Sequence, residues 1–316
     1  MDNEILFLYL KGEVKMAKVF TIDGGGDKFA YASVKNGKVI LLKTFHSPTS
    51  IDGLKGQILK VAHGGLKKYD GMGIAIAGVV QNNETIIQSP NLHWLDTINL
   101  KEWSQNAFGI KCWVTNDLEA AGIGELKEGE LQGVRCGIID TISTGLGGCT
   151  IIRIPGAKEV VIPGEPGHMV NFGLQGPLCG CGKFGCNEAR YSGGAIRRRV
   201  KQLFGDQIPS GMDPCRFLDQ EADKGRPWAL QLYKEVGEGI GLGWANTLNR
   251  NGWIEKIVYM GKFGVYGMKH MRPHIEEVIQ IGAMFSHHKD ISIVQSSLWP
   301  NGAHIGAAAI FEEHEV

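Results

Sequence analysis

Two stretches of this chain, TIDGGGDKFAYASV at residues 21–34 and IIDTISTGLGGCTII at residues 138–152, share one pattern. In each stretch an apolar strand leads into a glycine-rich turn, and a second apolar strand follows. Each stretch also precedes a segment in which strands and helices alternate. The repeat predicts an α/β protein made of a duplicated domain, with a ligand held in a cleft between two lobes.

Local patterns between and around these stretches agree with that class. Asn36-Gly37 separates two apolar runs and predicts a tight hairpin. Residues 51–68 have helical spacing, and Thr115, Asn116 and Asp117 are typical of a helix start. The small-residue run from Asn301 onward predicts a terminal helix.

Composition excludes several classes of function. The chain has 316 residues, enough for two domains, and its formal net charge is zero, which gives no electrostatic basis for binding nucleic acid or a membrane surface. No apolar run approaches the ~18 residues of a membrane span. The short ILFLYL run near the start follows acidic residues and does not resemble a signal peptide. Seven cysteines, an odd number, favour a reducing cytoplasm over a disulfide framework.

Three of these cysteines form a cluster in the run GPLCGCGKFGC at residues 176–186. Together with the preceding His168, Cys179, Cys181 and Cys186 provide three thiolates and one imidazole within a short segment. Such a closed set of four soft ligands is what structural Zn²⁺ prefers, and the interleaved glycines let the backbone wrap around an ion. A disulfide or a chance cluster is the alternative.

The same region carries a family resemblance. GEPGH at residues 164–168 and CGCGKFGCNE at residues 179–188 resemble the signature of the ROK family (repressors, open reading frames and sugar kinases), which is Glu-x-Gly-His followed by Cys-x-Cys-Gly-x-x-Gly-Cys-x-Glu. Further landmarks of that family occur in order, namely DGGGDK, GVV…PNLHW, ND and STGLGG. The resemblance covers about residues 16–312.

The resemblance implies a duplicated actin-like ATPase or ribonuclease H-like fold, with two lobes around a central cleft. It implies an ATP-dependent sugar kinase that uses Mg²⁺ and a structural Zn²⁺ and forms a homodimer. The division expected for this chain is an extension at 1–15, an N-terminal lobe at 16–118 onto which residues 302–316 pack back, and a C-terminal lobe at 119–301 that contains the zinc loop 164–193.

The family pattern also implies roles for side chains around a sugar. Asp117 would take the proton from the attacking sugar hydroxyl. The sugar contacts implied by the motif are Asn91, Asn116, Glu165, His168 and Glu188. Apart from His168, each has a plainer interpretation: a helix cap for the Asn116-Asp117 pair, a turn for Asn91, and solvated loop carboxylates for the two glutamates.

As a pair on repeated strands, the two glycine turns resemble the phosphate loops of the actin-like fold; the plainer interpretation of either turn alone is a glycine-rich hairpin. Asp23 would then lie near Mg²⁺ and its waters. The remaining residues expected to contact the nucleotide are Gly25, Gly26, Lys28, Thr144, Gly145 and Gly147.

Two departures from the family pattern concern the phosphate side. Asp27 stands where the family usually has threonine, and its carboxylate would repel phosphate unless a cation or Lys28 offsets it. YMGKFG lacks the usual pair of adjacent glycines. These departures keep open a non-catalytic sugar-binding or regulatory relative, or a kinase with another phosphate donor. Direct DNA binding is not expected, because only 22 residues precede Asp23 and they contain no basic recognition helix. The sequence does not specify which sugar is bound.

Overall fold

The computed structural model describes residues 17–63, 65–89, 91–157, 159–171 and 173–315. The predicted extension at residues 1–15 lies outside this range. The described residues divide into two units: the first runs to Gly124 and resumes at Ala303, and the second is Glu125–Gly302. The lobe boundary proposed from the sequence, residue 118, lies shortly before this division.

The first unit is built on a five-stranded sheet with the order β3-β2-β1-β4-β7. The strand β1 is antiparallel to β2 and parallel to β4, which in turn is parallel to β7. The predicted hairpin between β2 and β3 is confirmed, since Asn36 and Gly37 both have positive φ values, 52° and 67°. The strands are β1 (Val19–Gly24), β2 (Lys28–Lys35), β3 (Lys38–His46), β4 (Gly71–Ile76) and β7 (Cys112–Asn116).

The second unit repeats this arrangement with the order β10-β9-β8-β11-β12. Its first strand, β8, is likewise antiparallel to the following strand and parallel to β11, which is parallel to β12. The duplication predicted from the two strand–turn–strand stretches is therefore confirmed. The strands are β8 (Cys136–Ile142), β9 (Leu146–Ile152), β10 (Val160–Gly164), β11 (Lys256–Met260) and β12 (Ser292–Gln295), and a separate small sheet in the first unit pairs β5 (Val79–Gln81) with β6 (Thr85–Gln88).

Helices connect and cover the sheets. The predicted helix at 51–68 ends earlier, at Val61, before Gly65 takes a φ of 95° that a right-handed helix does not accommodate. The helices are α1 (Ile51–Val61), α2 (Leu100–Phe108), α3 (Asp117–Glu128), α4 (Asn187–Tyr191), α5 (Gly193–Phe204), α6 (Pro214–Asp223), α7 (Pro227–Arg250), α8 (Lys262–Gly282) and α9 (Gly302–Glu315). None of the helices among the described residues is long and apolar enough to cross a bilayer.

The terminal helix α9 packs directly on the first sheet. A Cβ atom on Gly73 of β4 would lie 2.3 Å from the carbonyl oxygen of Ala307, and one on Gly306 would lie 1.7 Å from the carbonyl oxygen of Ala120. Only glycine permits these approaches. The small residues of the terminal helix therefore serve close packing inside the first unit.

Candidate functional site

The chemistry-bearing residues of the first unit meet at one edge of its sheet. β1, β4 and β7 are parallel, so their carboxyl ends lie side by side. Asp23 is the penultimate residue of β1, Asn116 is the last residue of β7, and Asp117 begins α3. In open α/β sheets this edge is where ligands bind.

Asn116 caps α3. Its Oδ1 accepts hydrogen bonds from the backbone N–H groups of Leu118 at 2.9 Å and Glu119 at 3.1 Å. Its Nδ2 donates to the carbonyl oxygen of Gly78 at 3.1 Å. The cap interpretation thus holds, and the second hydrogen of Nδ2 is what this side chain can offer to a ligand.

Asp117 lies in the first turn of α3, where its Oδ1 accepts from the N–H of Leu118 at 3.0 Å. The side chain is partly exposed. A carboxylate at this place is favoured by the positive end of the helix dipole. Asp117 is thus fixed at the first position of α3, and its partly exposed side chain lies within reach of solvent.

Burial raises the pKa of Asp23 to about 7, the negative charge of Asp117 adds to the increase, and Lys28 opposes it. The two carboxylates are therefore near enough to repel each other. A pair of this kind either keeps one proton close to neutral pH or attracts a cation.

The first glycine turn is a compact hydrogen-bonded loop. The N–H of Gly25 donates to the carbonyl oxygen of Lys28 at 3.0 Å. The hydroxyl of Ser47 donates to the carbonyl oxygen of Gly25 at 2.6 Å, and the N–H of Ser47 donates to that of Asp27 at 3.1 Å. Sequence reasoning missed Ser47, because its position after β3 carries no motif.

Asn91 packs against this turn. A Cβ atom on Gly26 would lie 2.9 Å from Cβ of Asn91, so glycine is what allows the two segments to approach. Asn91 is exposed. The first unit therefore places Asn91 against the first glycine turn, and Asp23, which lies just before that turn, near Asp117.

In the second unit, the turn between β8 and β9 is fixed by the start of α5. The N–H groups of Gly193 and Gly194 donate to the carbonyl oxygens of Ser143 at 2.7 Å and Thr144 at 3.1 Å. Within the turn, the N–H of Ser143 donates to the carbonyl oxygen of Gly145 at 2.9 Å. Of the predicted nucleotide contacts here, Thr144 and Gly145 form the turn and Gly147 lies in β9.

The three cysteines and the histidine of the predicted metal site come together. One ligand atom from each of His168, Cys179, Cys181 and Cys186 lies within 4.8 Å of all the others. Nδ1 of His168 is 3.6 Å from Sγ of Cys179, and Sγ of Cys181 is 3.7 Å from Sγ of Cys186. All seven cysteines of the chain are free thiols, which excludes the disulfide interpretation in this structure. The cluster could hold a metal ion.

The two predicted sugar carboxylates lie beside this cluster. Oε2 of Glu165 is 4.0 Å from Nε2 of His168, the nitrogen that does not face the thiols. Burial raises the pKa of Glu165, the His168 charge lowers it, and the negative charge of Glu188 raises it further. Glu188 itself accepts a hydrogen bond from the N–H of Leu146 at 3.0 Å.

One carboxyl group in the second unit was missed. Asp140 lies on β8, burial raises its pKa to about 7, and the indole N–H of Trp244 donates to its Oδ2 at 2.7 Å. The signal was present, because Asp23 and Asp140 take corresponding places in the repeated stretches TIDGGG and IIDTIS.

The two sheets define the class of fold. Each has three antiparallel strands followed by two parallel ones, in the same order, and the repeat gives the duplicated actin-like, ribonuclease H-like fold. A family model described as ROK family matches residues 19–314. This chain belongs to the ROK family.

Individual relatives agree with that assignment. A glucokinase of Streptomyces coelicolor is 32% identical over 251 residues, which cover 73% of this chain and 78% of that protein. An N-acetylmannosamine kinase of Vibrio vulnificus is 34% identical over 197 residues, 60% of this chain and 67% of that protein. The crystal structure of a ROK family glucokinase from Streptomyces griseus in complex with glucose and AMPPNP superposes with a TM-score of 0.76 at 26% identity, covering 93% of this chain and 98% of that one.

Proposed function

We propose that the protein is an ATP-dependent sugar kinase that transfers a phosphoryl group to a hexose, or to an amino or N-acyl hexose, at the 6-hydroxyl. The proposal is supported by family membership and by the similarity to a glucokinase and an N-acetylmannosamine kinase. The observation that carries it is Asp117, placed at the carboxyl edge of the first sheet beside Asp23.

In this proposal Asp117 is the general base. Phosphoryl transfer asks little covalent chemistry of a protein beyond positioning, charge neutralisation and a base near the nucleophile. Asp117 accepts the proton of the attacking hydroxyl as the hydroxyl oxygen bonds to the γ-phosphorus of ATP, while the bond from that phosphorus to the β-phosphate oxygen breaks and ADP leaves. Asn91 and the remaining Nδ2 hydrogen of Asn116 orient the sugar, and both lie on the same unit as the base.

Asp23 would hold Mg²⁺ through its waters, and that ion, when bound, neutralises charge on the phosphates of ATP. Burial and the charge of Asp117 raise the pKa of Asp23 to about 7 against the opposing charge of Lys28, so a bound cation would favour the ionised carboxylate. We assign phosphate binding to the backbone N–H groups of the two glycine turns, with Lys28 as the cationic side chain of the first.

We assign zinc to the cysteine and histidine cluster. Zn–S bonds of about 2.3 Å and Zn–N bonds of about 2.1 Å in a tetrahedron place sulfurs about 3.8 Å apart and a sulfur and nitrogen about 3.6 Å apart. The observed 3.7 Å between Cys181 and Cys186 and 3.6 Å between His168 and Cys179 fit these lengths. With four protein ligands and no open position, a zinc ion held there would be structural.

The cluster would then fix the two carboxylates that select the sugar. His168 presents Nε2 toward Glu165, and Glu188 follows the metal ligand Cys186 by two residues. Carboxylates that accept hydrogen bonds from sugar hydroxyls form short, strong bonds and suit discrimination between epimers. The free thiols also fit a reducing cytoplasm, and we expect a homodimer, which sedimentation would test.

The test is a screen for ADP release with MgATP and a panel of hexoses, 2-amino hexoses and their N-acetyl derivatives. We expect turnover with at least one sugar and none without Mg²⁺. If calorimetry detects sugar binding but no sugar is phosphorylated, the protein is a sugar-binding protein and the proposal of a kinase is wrong. Turnover only with pyrophosphate, polyphosphate or another nucleotide would show an altered donor, the change that Asp27 brings into question.

A further inference from the structure

Glu188 contacts two different elements of the second unit. Its Oε2 accepts a hydrogen bond, at 3.0 Å, from the backbone N–H of Leu146, the first residue of β9 after the glycine turn. Its Oε1 lies 3.8 Å from Sγ of Cys179 in the metal cluster. The carboxylate of Glu188, in the zinc loop 164–193, therefore contacts both a metal ligand of that loop and the first residue after the glycine turn.

The turn is shaped to receive this carboxylate. A Cβ atom on Gly145 would lie 2.6 Å from Oε2 of Glu188, closer than a carbon and an oxygen can approach. Any larger residue at position 145 would displace either the carboxylate or the turn. Glycine at position 145 is thus what leaves room for the carboxylate of Glu188 in the position observed.

The turn is also held by two residues that follow Glu188 closely in the chain, Gly193 and Gly194. The N–H groups of Gly193 and Gly194 donate to the carbonyl oxygens of Ser143 and Thr144. Cβ atoms on these two glycines would each lie 2.6 Å from the same oxygens. The short segment 188–194 begins two residues after the metal ligand Cys186. It is joined to residues 143–146 by three hydrogen bonds, which pair Glu188 with Leu146, Gly193 with Ser143 and Gly194 with Thr144.

We propose that Glu188 is a positioning residue for the glycine turn 143–148, so that order in the metal-binding loop supports nucleotide binding as well as sugar binding. The inference rests on the proposed function and adds a second role to a predicted sugar contact. Glu165 provides the contrast, because its carboxylate lies 4.0 Å from Nε2 of His168, inside the zinc loop itself.

The test measures the affinity of sugar-free protein for a non-hydrolysable ATP analogue with Mg²⁺. Glu188→Ala removes the acceptor of the Leu146 N–H and should weaken binding about tenfold. Glu188→Gln keeps an acceptor oxygen and should stay within about threefold of the native protein. Glu165→Ala, the matched control, should lose sugar affinity but keep nucleotide affinity. Equal nucleotide affinity in Glu188→Ala and the native protein overturns the proposal.

A second measurement needs no ligand. Hydrogen exchange of the backbone amides at residues 143–148 should be faster in Glu188→Ala, and close to native in Glu188→Gln and Glu165→Ala. Unchanged exchange in Glu188→Ala contradicts the proposal even if that variant binds ligands poorly. A native protein that binds neither nucleotide nor sugar would instead contradict the proposed function, so the two failures are distinguishable. Zinc content and melting temperature of each variant identify any that fail to fold.

Discussion

The first strands of the two sheets, β1 and β8, occupy the same place in the same strand order, and each carries an aspartate near its carboxyl end. Asp23 pairs across the sheet with Ala30 and Ala75. Asp140 pairs with Gly148 and Tyr259. Burial raises the pKa of both carboxyl groups to about 7.

Their neighbours differ. Asp23 faces charged groups, with Asp117 raising its pKa and Lys28 lowering it. Asp140 instead accepts a hydrogen bond from the indole N–H of Trp244, a core residue that is 3% exposed. The same strand arrangement therefore places Asp23 among charged side chains and Asp140 against the packed helix α7, which carries Trp244. The duplication thus repeats the sheet, whereas the side chains around each aspartate determine what that carboxyl group can do.

The largest effect should come from Asp117. In Asp117→Asn we expect kcat to fall by about 10²–10⁴, because the amide cannot accept the proton of the sugar hydroxyl. Sugar affinity by calorimetry should remain within a few-fold. Glu119→Gln changes a carboxylate of the same helical turn, which accepts a hydrogen bond from Thr115, and serves as control. Near-native turnover in Asp117→Asn would move the base elsewhere.

The second-largest effect should come from loss of the metal ion, which would reduce the order of the zinc loop in the second unit. Cys181→Ser exchanges an exposed thiol, so its packing cost is small, while Cys112→Ser in the first unit is the control. We expect zinc to fall from one to none per chain and sugar affinity to fall about tenfold or more as the loop loses its order. Metal analysis that finds no zinc in the native protein rejects the assignment.

A smaller effect should distinguish the two aspartates by stability. A carboxyl group whose pKa rises from 3.8 to about 7 on folding binds more protons in the native state between those values, so its contribution to the free energy of unfolding decreases as pH rises through them. Replacement by asparagine removes that decrease. The free energy of unfolding of each variant, minus that of the native protein, should therefore be larger at pH 8 than at pH 5. We expect this change to be about 1–3 kcal/mol in Mg²⁺-free denaturant titrations.

Activity should then separate this pair. Asp140→Asn should keep turnover within a few-fold, since the asparagine oxygen still accepts from Trp244. Asp23→Asn should lose most of its turnover and its response to Mg²⁺. Comparable losses of turnover in Asp23→Asn and Asp140→Asn would contradict the different roles assigned to the two aspartates.

The smallest effect concerns Asp27, an exposed carboxylate next to Lys28 in the first glycine turn. Removing one negative charge near a polyphosphate in a solvent-exposed place changes binding by about 1 kcal/mol, or roughly fivefold. Asp27→Asn should therefore lower KM for MgATP by up to about fivefold with little change in kcat. Asp27→Thr separates the contribution of a hydroxyl. A higher KM in both would show that this carboxylate favours the donor.

Sequence patterns predicted the repeated sheets because strand–turn–strand units depend on local residues such as Asn36-Gly37 and the glycine turns. The metal cluster could also be predicted, since its spacing lies within one short segment. The long helix α8 was not foreseen, because Pro273 and several glycines interrupt its helical pattern, and tertiary packing overrides them.

Contacts between distant segments could not be predicted. Ser47 holds the first glycine turn, and Glu188 holds the second, through backbone groups that carry no sequence signal. The dual use of Asn116, as a cap with one amide hydrogen left over, follows only from coordinates. Residue types indicated the chemistry, and the fold determined which of their atoms remain available for it.

The most direct test of the central claim is ³¹P NMR of the native protein incubated with MgATP and the sugar panel. The account predicts a new phosphomonoester resonance, coupled to the protons at C6 of one sugar, that grows as the γ-phosphate signal of ATP declines. It also predicts that Asp117→Asn produces this resonance at a small fraction of the native rate. ATP consumed only to inorganic phosphate, or no phosphosugar from any sugar in the panel, would contradict the claim that this chain is a sugar kinase.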